Sequence, residues 1–428
     1  MPAGSARVAA AVAVLVALLG LAACGSDDKS SGPQRLDLKI GDLLPGSGPL
    51  EQFGQPARQA ADLAADEIRK ATTKAGAQHR VTVTHVDYMT EPGAGLDAAG
   101  KLVQQGASCL VGPWGGVPTE RVVRRTSAPR KIVQISPSAS GDSLTRAEDR
   151  GYLFRVVPPD HMQADALAEL LDDKLRGARG KTVNVGALKS TYGDGLTRSF
   201  QDAWTGKGGR IGAQETYRGD DPTFNDQAER LASGDPDAWV FFDFADTYPR
   251  MATDLAAREG TKYSPRKAFG TESLATPRLA TIAPTAIDGF RGVAIGAPRE
   301  GQAAEEFDKR YKARGPAKRQ TLDAQQFDAV VLCYLAAVAA GSTSGEQMAD
   351  KVREVTAPPG RKFTWLQLDQ AVKALQAGQD IDYDGVSGPI DLNDDGDPTA
   401  AVYDVYEFRN GKLRVREQIA VPDRPGGI

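Results

Sequence analysis

Histidine and cysteine are nearly missing from these 428 residues, three of each. The histidines, His79, His85 and His161, stand apart without any metal-ligand spacing. No G-x-S-x-G elbow occurs, no cysteine is paired with a nearby histidine, and the phosphate-cradling pattern G-x-x-x-x-G-K-S/T is absent. An enzyme therefore has little support, and no catalytic residue, metal or cofactor is expected. Strong charge of either sign is missing too. The formal net charge is −4, which argues against a nucleic-acid partner, because such a chain would carry a basic face. Also missing is an internal apolar run able to span a bilayer. The longest, 329–340 "AVVLCYLAAVAA", falls short of the ~20 residues needed and suits a buried or half-buried helix.

What is present begins at the N-terminus. Arg7 precedes the apolar run 8–20, "VAAAVAVLVALLG", and Leu21-Ala22-Ala23-Cys24 follows it. The run has the length of a secretory signal's apolar region. The four residues after it resemble the bacterial lipobox, in which the cysteine is lipidated and the chain is cut just before it. Residues 1–23 are thus expected to be a lipoprotein signal peptide and Cys24 the lipidated anchor on the extracytoplasmic face of a membrane. Removing 1–23 takes away Arg7 alone and moves the formal charge from −4 to −5. Residues 24–35, containing "GSDDKSSGPQ", read as a flexible tether. Cys109 and Cys333 remain, and in an exported protein they are either a disulfide or two buried thiols.

From residue 36 the pattern alternates. Strands are expected at 36–44, 81–87, 108–112 and 131–136, with helices at 51–74, 94–105 and 118–126 between them. A second series then starts, with strands at 153–157, 182–188, 211–217, 238–242 and 267–271 and helices at 161–175, 195–205, 224–233 and 249–260. Alternation at this spacing predicts parallel sheets covered by helices on both faces, and its repetition predicts two lobes. A short strand at 292–296, helices at 303–313 and 323–340, and a hairpin across 400–418 turning at Arg409-Asn410-Gly411 complete the chain. Helices arriving after the second lobe is finished suggest that the chain returns to the first.

Three stretches imitate other sites. Gly46-Ser47-Gly48 opens like a dinucleotide fingerprint, but its third glycine position is Glu51; it reads as cleft wall. Asp391 to Asp397, "DLNDDGD", mimics half an EF-hand loop, yet Val402 stands where a bidentate glutamate is required, so a turn between strands is expected. The stretch 241–246, "FFDFAD", reads as core strand whose C-terminal end reaches a cleft.

Seven segments in order, "IGDLLPGSGPLEQFGQPARQAADLA", "LVGPWGGVPTERV", "ISPSASGDSLT", "YLFRVVPPDHMQADALAELL", "TYGDGLTRSF", "AFGTESLATPRLA" and "YDGVSGPIDLNDDGDP", are similar to the leucine/isoleucine/valine-binding protein family. These are type I solute-binding proteins of ABC importers, and the resemblance spans 36–418. It implies an α/β fold of two doubly wound parallel-sheet lobes joined by a three-segment hinge. Lobe 1 would hold 36–158 and 297–386, and lobe 2 would hold 159–296 and 387–420. The partners it implies are an amino-acid-like small molecule in the cleft and an ABC permease, with the receptor a monomer.

Carried over by position, Ser138, Ala139 and Ser140 would hold the ligand carboxylate. Glu272 would pair with its ammonium, and Tyr192 would face the cleft from lobe 2. Phe53, Trp114, Phe244 and Leu322 would form the side-chain pocket. Gly116 stands where the family often has serine, leaving the backbone of Gly115 and Gly116 to supply that contact. Trp114 occupies a place often held by a smaller aliphatic residue. The same fold could instead serve as a sensor signalling to a membrane kinase, or take urea, an amide or an aromatic acid.

Overall fold

A computed structural model describes residues 35–422; the expected signal peptide, Cys24 and nearly all of the tether lie outside them. The first sheet is wholly parallel, in the order β2-β1-β3-β4-β5. Its strands are β1 (Arg35–Leu44), β2 (Gln78–Asp87), β3 (Cys109–Val111), β4 (Val133–Ser136) and β5 (Leu153–Arg155). Between them run α1 (Gly54–Ala75), α2 (Pro92–Gln104), α3 (Gly116–Val122) and the short α4 (Ala128–Arg130). The last five residues of β1, from Ile40 onward, are all buried, as expected of a central strand covered on both faces.

The chain then crosses to a second sheet through α5 (Asp160–Leu175). There β6 (Thr182–Leu188), α6 (Thr191–Gly206), β7 (Arg210–Tyr217), α7 (Asn225–Ala232), β8 (Ala238–Phe242), α8 (Tyr248–Ala256), β9 (Ala268–Gly270), α9 (Pro277–Ile282) and β10 (Arg291–Ile295) alternate. Next come α10 (Gln302–Arg314) and α11 (Asp323–Ala340), both of which pack back on α1 beside the first sheet. With α12 (Gly345–Val352) and α13 (Leu368–Gln376) they enlarge that side, and β11 (Arg361–Thr364), β12 (Ile381–Gly385) and β13 (Gly388–Pro389) form a small third sheet.

A third crossing returns the chain to the second sheet as β14 (Ala400–Arg409) and β15 (Lys412–Pro422), giving the order β15-β14-β10-β9-β8-β6-β7. That sheet is therefore not purely parallel: β14 pairs antiparallel with both β10 and β15. The Asn410-Gly411 turn accounts for the β14–β15 pair. Both residues have positive φ, 52° and 66°, which is the backbone a two-residue hairpin needs. The expected hairpin is thus present, and its antiparallel strands extend an otherwise parallel sheet.

The apolar helix α11 is buried from Asp323 through Val338, as expected of a core helix that is apolar nearly all round. Among the described residues no single helix is long and apolar enough to cross a membrane. Cys333 on α11 is bonded to Cys109 on β3, with Cα atoms 6.0 Å apart, which decides between the two states open to this pair. The stretch 391–397 is a turn between β13 and β14, closed by Asn393, whose side-chain oxygen accepts from the backbone N–H groups of Asp395 and Asp397.

Candidate functional site

The C-terminal ends of β3, β4, β8 and β9 and the start of α11 converge on a cavity of about 150 Å³. Strand ends of this kind are where open α/β sheets place their ligands. From the first sheet come Phe53, Trp114, Gly115, Gly116, Ser138 and Ser140; from the second come Tyr192, Phe244 and Glu272; Leu322 caps α11 between them. The structure thus brings together all the expected site residues except one.

Ala139 is the exception and corrects the expectation. It is 1% exposed, its N–H donates to Ser136 Oγ at 3.0 Å, and its carbonyl accepts from Arg155 at 3.3 Å. Those bonds turn it into the protein while its neighbours Ser138 and Ser140 face the cavity. The Gly46-Ser47-Gly48 loop needs a correction as well. It does not line the cavity, because Asp87 takes both the Ser47 hydroxyl, at 2.8 Å, and its N–H, at 3.2 Å. Leu50 and Phe53, just beyond it, supply the wall.

Two pairs of rings frame the space. Phe53 and Trp114 stack with centroids 5.7 Å apart, and Tyr192 meets Phe244 at 5.5 Å. Gly115, at φ 84° and ψ 148°, lets the chain turn between Trp114 and α3 in a conformation that is essentially glycine's alone. Its N–H donates to Ser138 Oγ at 3.3 Å, joining the two loops. Tyr192 is fixed by its hydroxyl, 2.7 Å from Thr271 Oγ1 and 3.2 Å from Ser273 Oγ. The "FFDFAD" stretch behaves as its sequence suggests. Its strand part is buried, and Asp243 bonds Tyr217 and Thr247 below Phe244 at the cavity wall.

The electrostatics are one-sided. Glu120, Asp160 and Glu272 line the cavity, and among the described residues no lysine, arginine or histidine does. Burial raises the Glu272 pKa, against the lowering effect of hydrogen bonds from Gln163, its own backbone and Tyr192. Asp160 escaped the sequence reading. It opens α5, is 0% exposed, and neither of its oxygens has a hydrogen-bond partner of good geometry among the described residues, although the nearby Ser140 hydroxyl acts to lower its pKa. Burial first, then the charge of Asp142, push its carboxyl up to about 7. Only the aspartate just inside a helix start was visible in "VVPPDH", a pattern that any surface helix shares. A buried carboxylate without a partner is costly, so this end of the cavity is built for something that brings positive charge or protons. Among the described residues no cluster of His, Cys, Asp or Glu is arranged to hold a metal ion.

Comparison with known proteins agrees with this fold. The chemotactic signal transduction system substrate-binding protein BasB of Halobacterium salinarum is 23% identical over 387 residues, covering 88% of each chain. The leucine-binding protein LivK of Thermotoga maritima superposes with a TM-score of 0.72 at 20% identity, covering 89% of this chain and 98% of that one. A solute-binding protein of an ABC transporter from R. palustris, in complex with benzoate, gives 0.69 at 20% identity, with 92% and 99% covered. The fold is the type I periplasmic-binding fold, one of binding proteins rather than enzymes. A family model described as periplasmic binding protein matches residues 37–412, and the chain belongs to that family.

Proposed function

We propose that this protein is an extracytoplasmic receptor that captures an amino acid in its inter-lobe cavity and delivers it to an ABC permease. The observation that carries the reading is the acidic pair Asp160 and Glu272, set in a cavity wall to which the described residues bring no cationic side chain. An α-ammonium would compensate both carboxylates, while the hydroxyls of Ser138 and of Ser140, whose carbonyl accepts from the Asp160 N–H at 2.8 Å, would meet the adjoining carboxylate. The volume, about 150 Å³, suits a single small solute; an apolar cavity of about that size admits benzene. Cys24, by its lipobox, would tie the receptor to the membrane, and Cys24→Ser should abolish labelling by a fatty-acid probe.

An aromatic acid is the second reading, favoured by the Phe53–Trp114 and Tyr192–Phe244 rings. It would leave the two carboxylates facing no positive charge, which weighs against it. A sensory role, as the name of the BasB relative implies for that protein, would use the same cavity. Calorimetry with L-leucine and its deaminated analogue, on wild type and Glu272→Gln, separates the ligand classes. Loss of the charge should cost the amino acid about 2–5 kcal/mol and the analogue much less. Equal losses would remove Glu272 from the ammonium's side and with it the amino-acid reading.

A further inference from the structure

Trp114 is held from behind by a continuous line of hydrogen bonds. Its indole Nε1 donates to Gln326 Oε1 on α11 at 3.0 Å, and Gln326 Nε2 donates to Asp42 Oδ1 on β1 at 2.8 Å. Asp42 Oδ2 lies 2.7 Å from His85 Nδ1 on β2, and His85 Nε2 lies 3.1 Å from Asp62 Oδ1 on α1. Trp114 is 2% exposed, while Gln326 and Asp42 are fully buried. The His85 and Asp62 side chains are 12% and 32% exposed. The line therefore runs from the cavity wall through the core to solvent.

Every link has a fixed polarity. An indole N–H can only donate, so Gln326 must turn its oxygen to Trp114 and its NH₂ to Asp42. Asp42 is then an acceptor on one oxygen and meets an imidazole nitrogen with the other. His85 has a carboxylate oxygen at each ring nitrogen, and only the doubly protonated ring donates to both. Burial opposes that charge, but the hydrogen bonds and charges of Asp42 and Asp62 outweigh it and raise the His85 pKa. Beyond Asp62, Arg314 of α10 pairs with it at 3.5 Å and with Asp66 at 2.8 Å.

We propose that His85 is a positioning residue for the ligand cavity: bonded to Asp42, it fixes the Gln326 amide and through it the tilt of the Trp114 indole that forms the wall. The consequence for specificity rests on the cavity being the ligand site, but the coupling itself does not. When the ring loses its proton, Asp42 is left as a buried charge without a cation, and the grip on Gln326 slackens. The sign follows from the raised pKa. The hold is fully present below the ordinary histidine pKa while Asp42, whose carboxyl burial raises, stays ionised, and it is lost as pH rises through the raised folded-state pKa of His85.

The test needs no ligand for its first arm. In ¹⁵N-indole-labelled protein the Trp114 signal is identified by its loss in Trp114→Phe and followed from about pH 5 to 10 together with the His85 ring. Trp114 should shift with the His85 midpoint, and the signals of Trp204, Trp239 and Trp365 should not. Asp62→Asn, which leaves the Asp42 bond in place, should move both midpoints down together. His85→Gln should abolish the shift and weaken L-leucine binding about 3- to 10-fold, a hydrogen bond's worth, but not in the Trp114→Phe background. A Trp114 signal that stays still while His85 titrates, or midpoints that part in Asp62→Asn, overturns the proposal. If L-leucine does not bind wild type, the amino-acid reading suffers while the indole arm still decides this one.

Discussion

Arg155 at the end of β5 and Asp397 in the turn before β14 form a buried two-pronged ion pair. Nε reaches Oδ1 and Nη2 reaches Oδ2, each at 2.5 Å, with the side chains 1% and 4% exposed. The other Arg155 donors go to the carbonyls of Ala139 and Gly141 and to Thr145 Oγ1. One guanidinium, with all five of its N–H groups engaged, thus ties the loop carrying Ser138 and Ser140 to the third crossing between the sheets. The aspartate that imitates a calcium ligand in the sequence serves a guanidinium instead.

Removing one partner of this pair leaves a buried, uncompensated charge. Arg155→Met should destabilise by about 3–5 kcal/mol, read as the shift of the urea midpoint at unchanged slope. Adding Asp397→Leu should recover most of that loss, because the orphaned carboxylate goes with it. A loss below about 1 kcal/mol in the single variant would mean the pair acts as a surface bridge does.

Asp160 gives the site a pH dependence of defined sign. Its carboxyl rises from 3.8 in the unfolded chain to about 7 in the ligand-free fold. Between those values the folded state binds the extra proton, so this group's contribution to stability falls as pH rises from about 4 to about 7. A cationic ligand beside it favours the ionised form, so affinity for an amino acid should improve as pH rises through about 7. On the acid side the change should approach about tenfold per pH unit. Asp160→Asn should flatten the profile. Calorimetry at pH values on both sides of neutrality checks it; a flat wild-type profile would place the ammonium away from Asp160.

How far the sequence led depended on how local each cause was. The β/α alternation and the Asn410-Gly411 hairpin were readable because period and turn residues act over a few positions. The third sheet was not, since β11, β12 and β13 have only 4, 5 and 2 residues and "RKFT" carries no alternation. The positions of Ser138, Ser140, Glu272 and Tyr192 followed from resemblance and strand ends. The inward turn of Ala139 did not, because it depends on where Ser136 Oγ and Arg155 happen to point. Asp160 was hidden for a similar reason: its burial is set by the start of α5 meeting the loop of Ser140 and Asp142, which no short motif expresses.

Cys109 and Cys333 stand 224 residues apart in sequence, and no spacing rule could have paired them. Their bond fastens α11 to β3, both of which lead to the cavity. Closing so long a loop restricts the unfolded chain, so Cys109→Ala with Cys333→Ala should cost about 2–4 kcal/mol. Denaturant melts of the oxidised protein against the double variant would read it. Thiol labelling under denaturing, non-reducing conditions should find neither cysteine free; stoichiometric labelling of both would dismiss the bond.

Gly116 offers the most direct test of the ligand's carboxylate end. It is the first residue of α3 and lines the cavity beside Ser138 and Ser140. A Cβ built on it meets nothing within 4 Å, and its φ lies outside the left-handed range, so a side chain costs neither a clash nor backbone strain. Serine, the residue that the resemblance leads one to expect there, would add a hydroxyl at a point where this chain offers only backbone. Gly116→Ser should therefore leave the melting temperature unchanged or slightly higher, since glycine is the poorer helix former. One added neutral hydrogen bond is worth about 0.5–1.5 kcal/mol, so L-leucine should bind roughly two- to tenfold more tightly. The deaminated analogue should gain as much, because it keeps the carboxylate and lacks only the ammonium. That parallel gain is the opposite of the split expected for Glu272→Gln, and the two variants together locate both ends of a zwitterion. If Gly116→Ser weakens both ligands while the fold stays intact, the hydroxyl is displacing the carboxylate rather than holding it, and the orientation proposed for the ligand must be reversed.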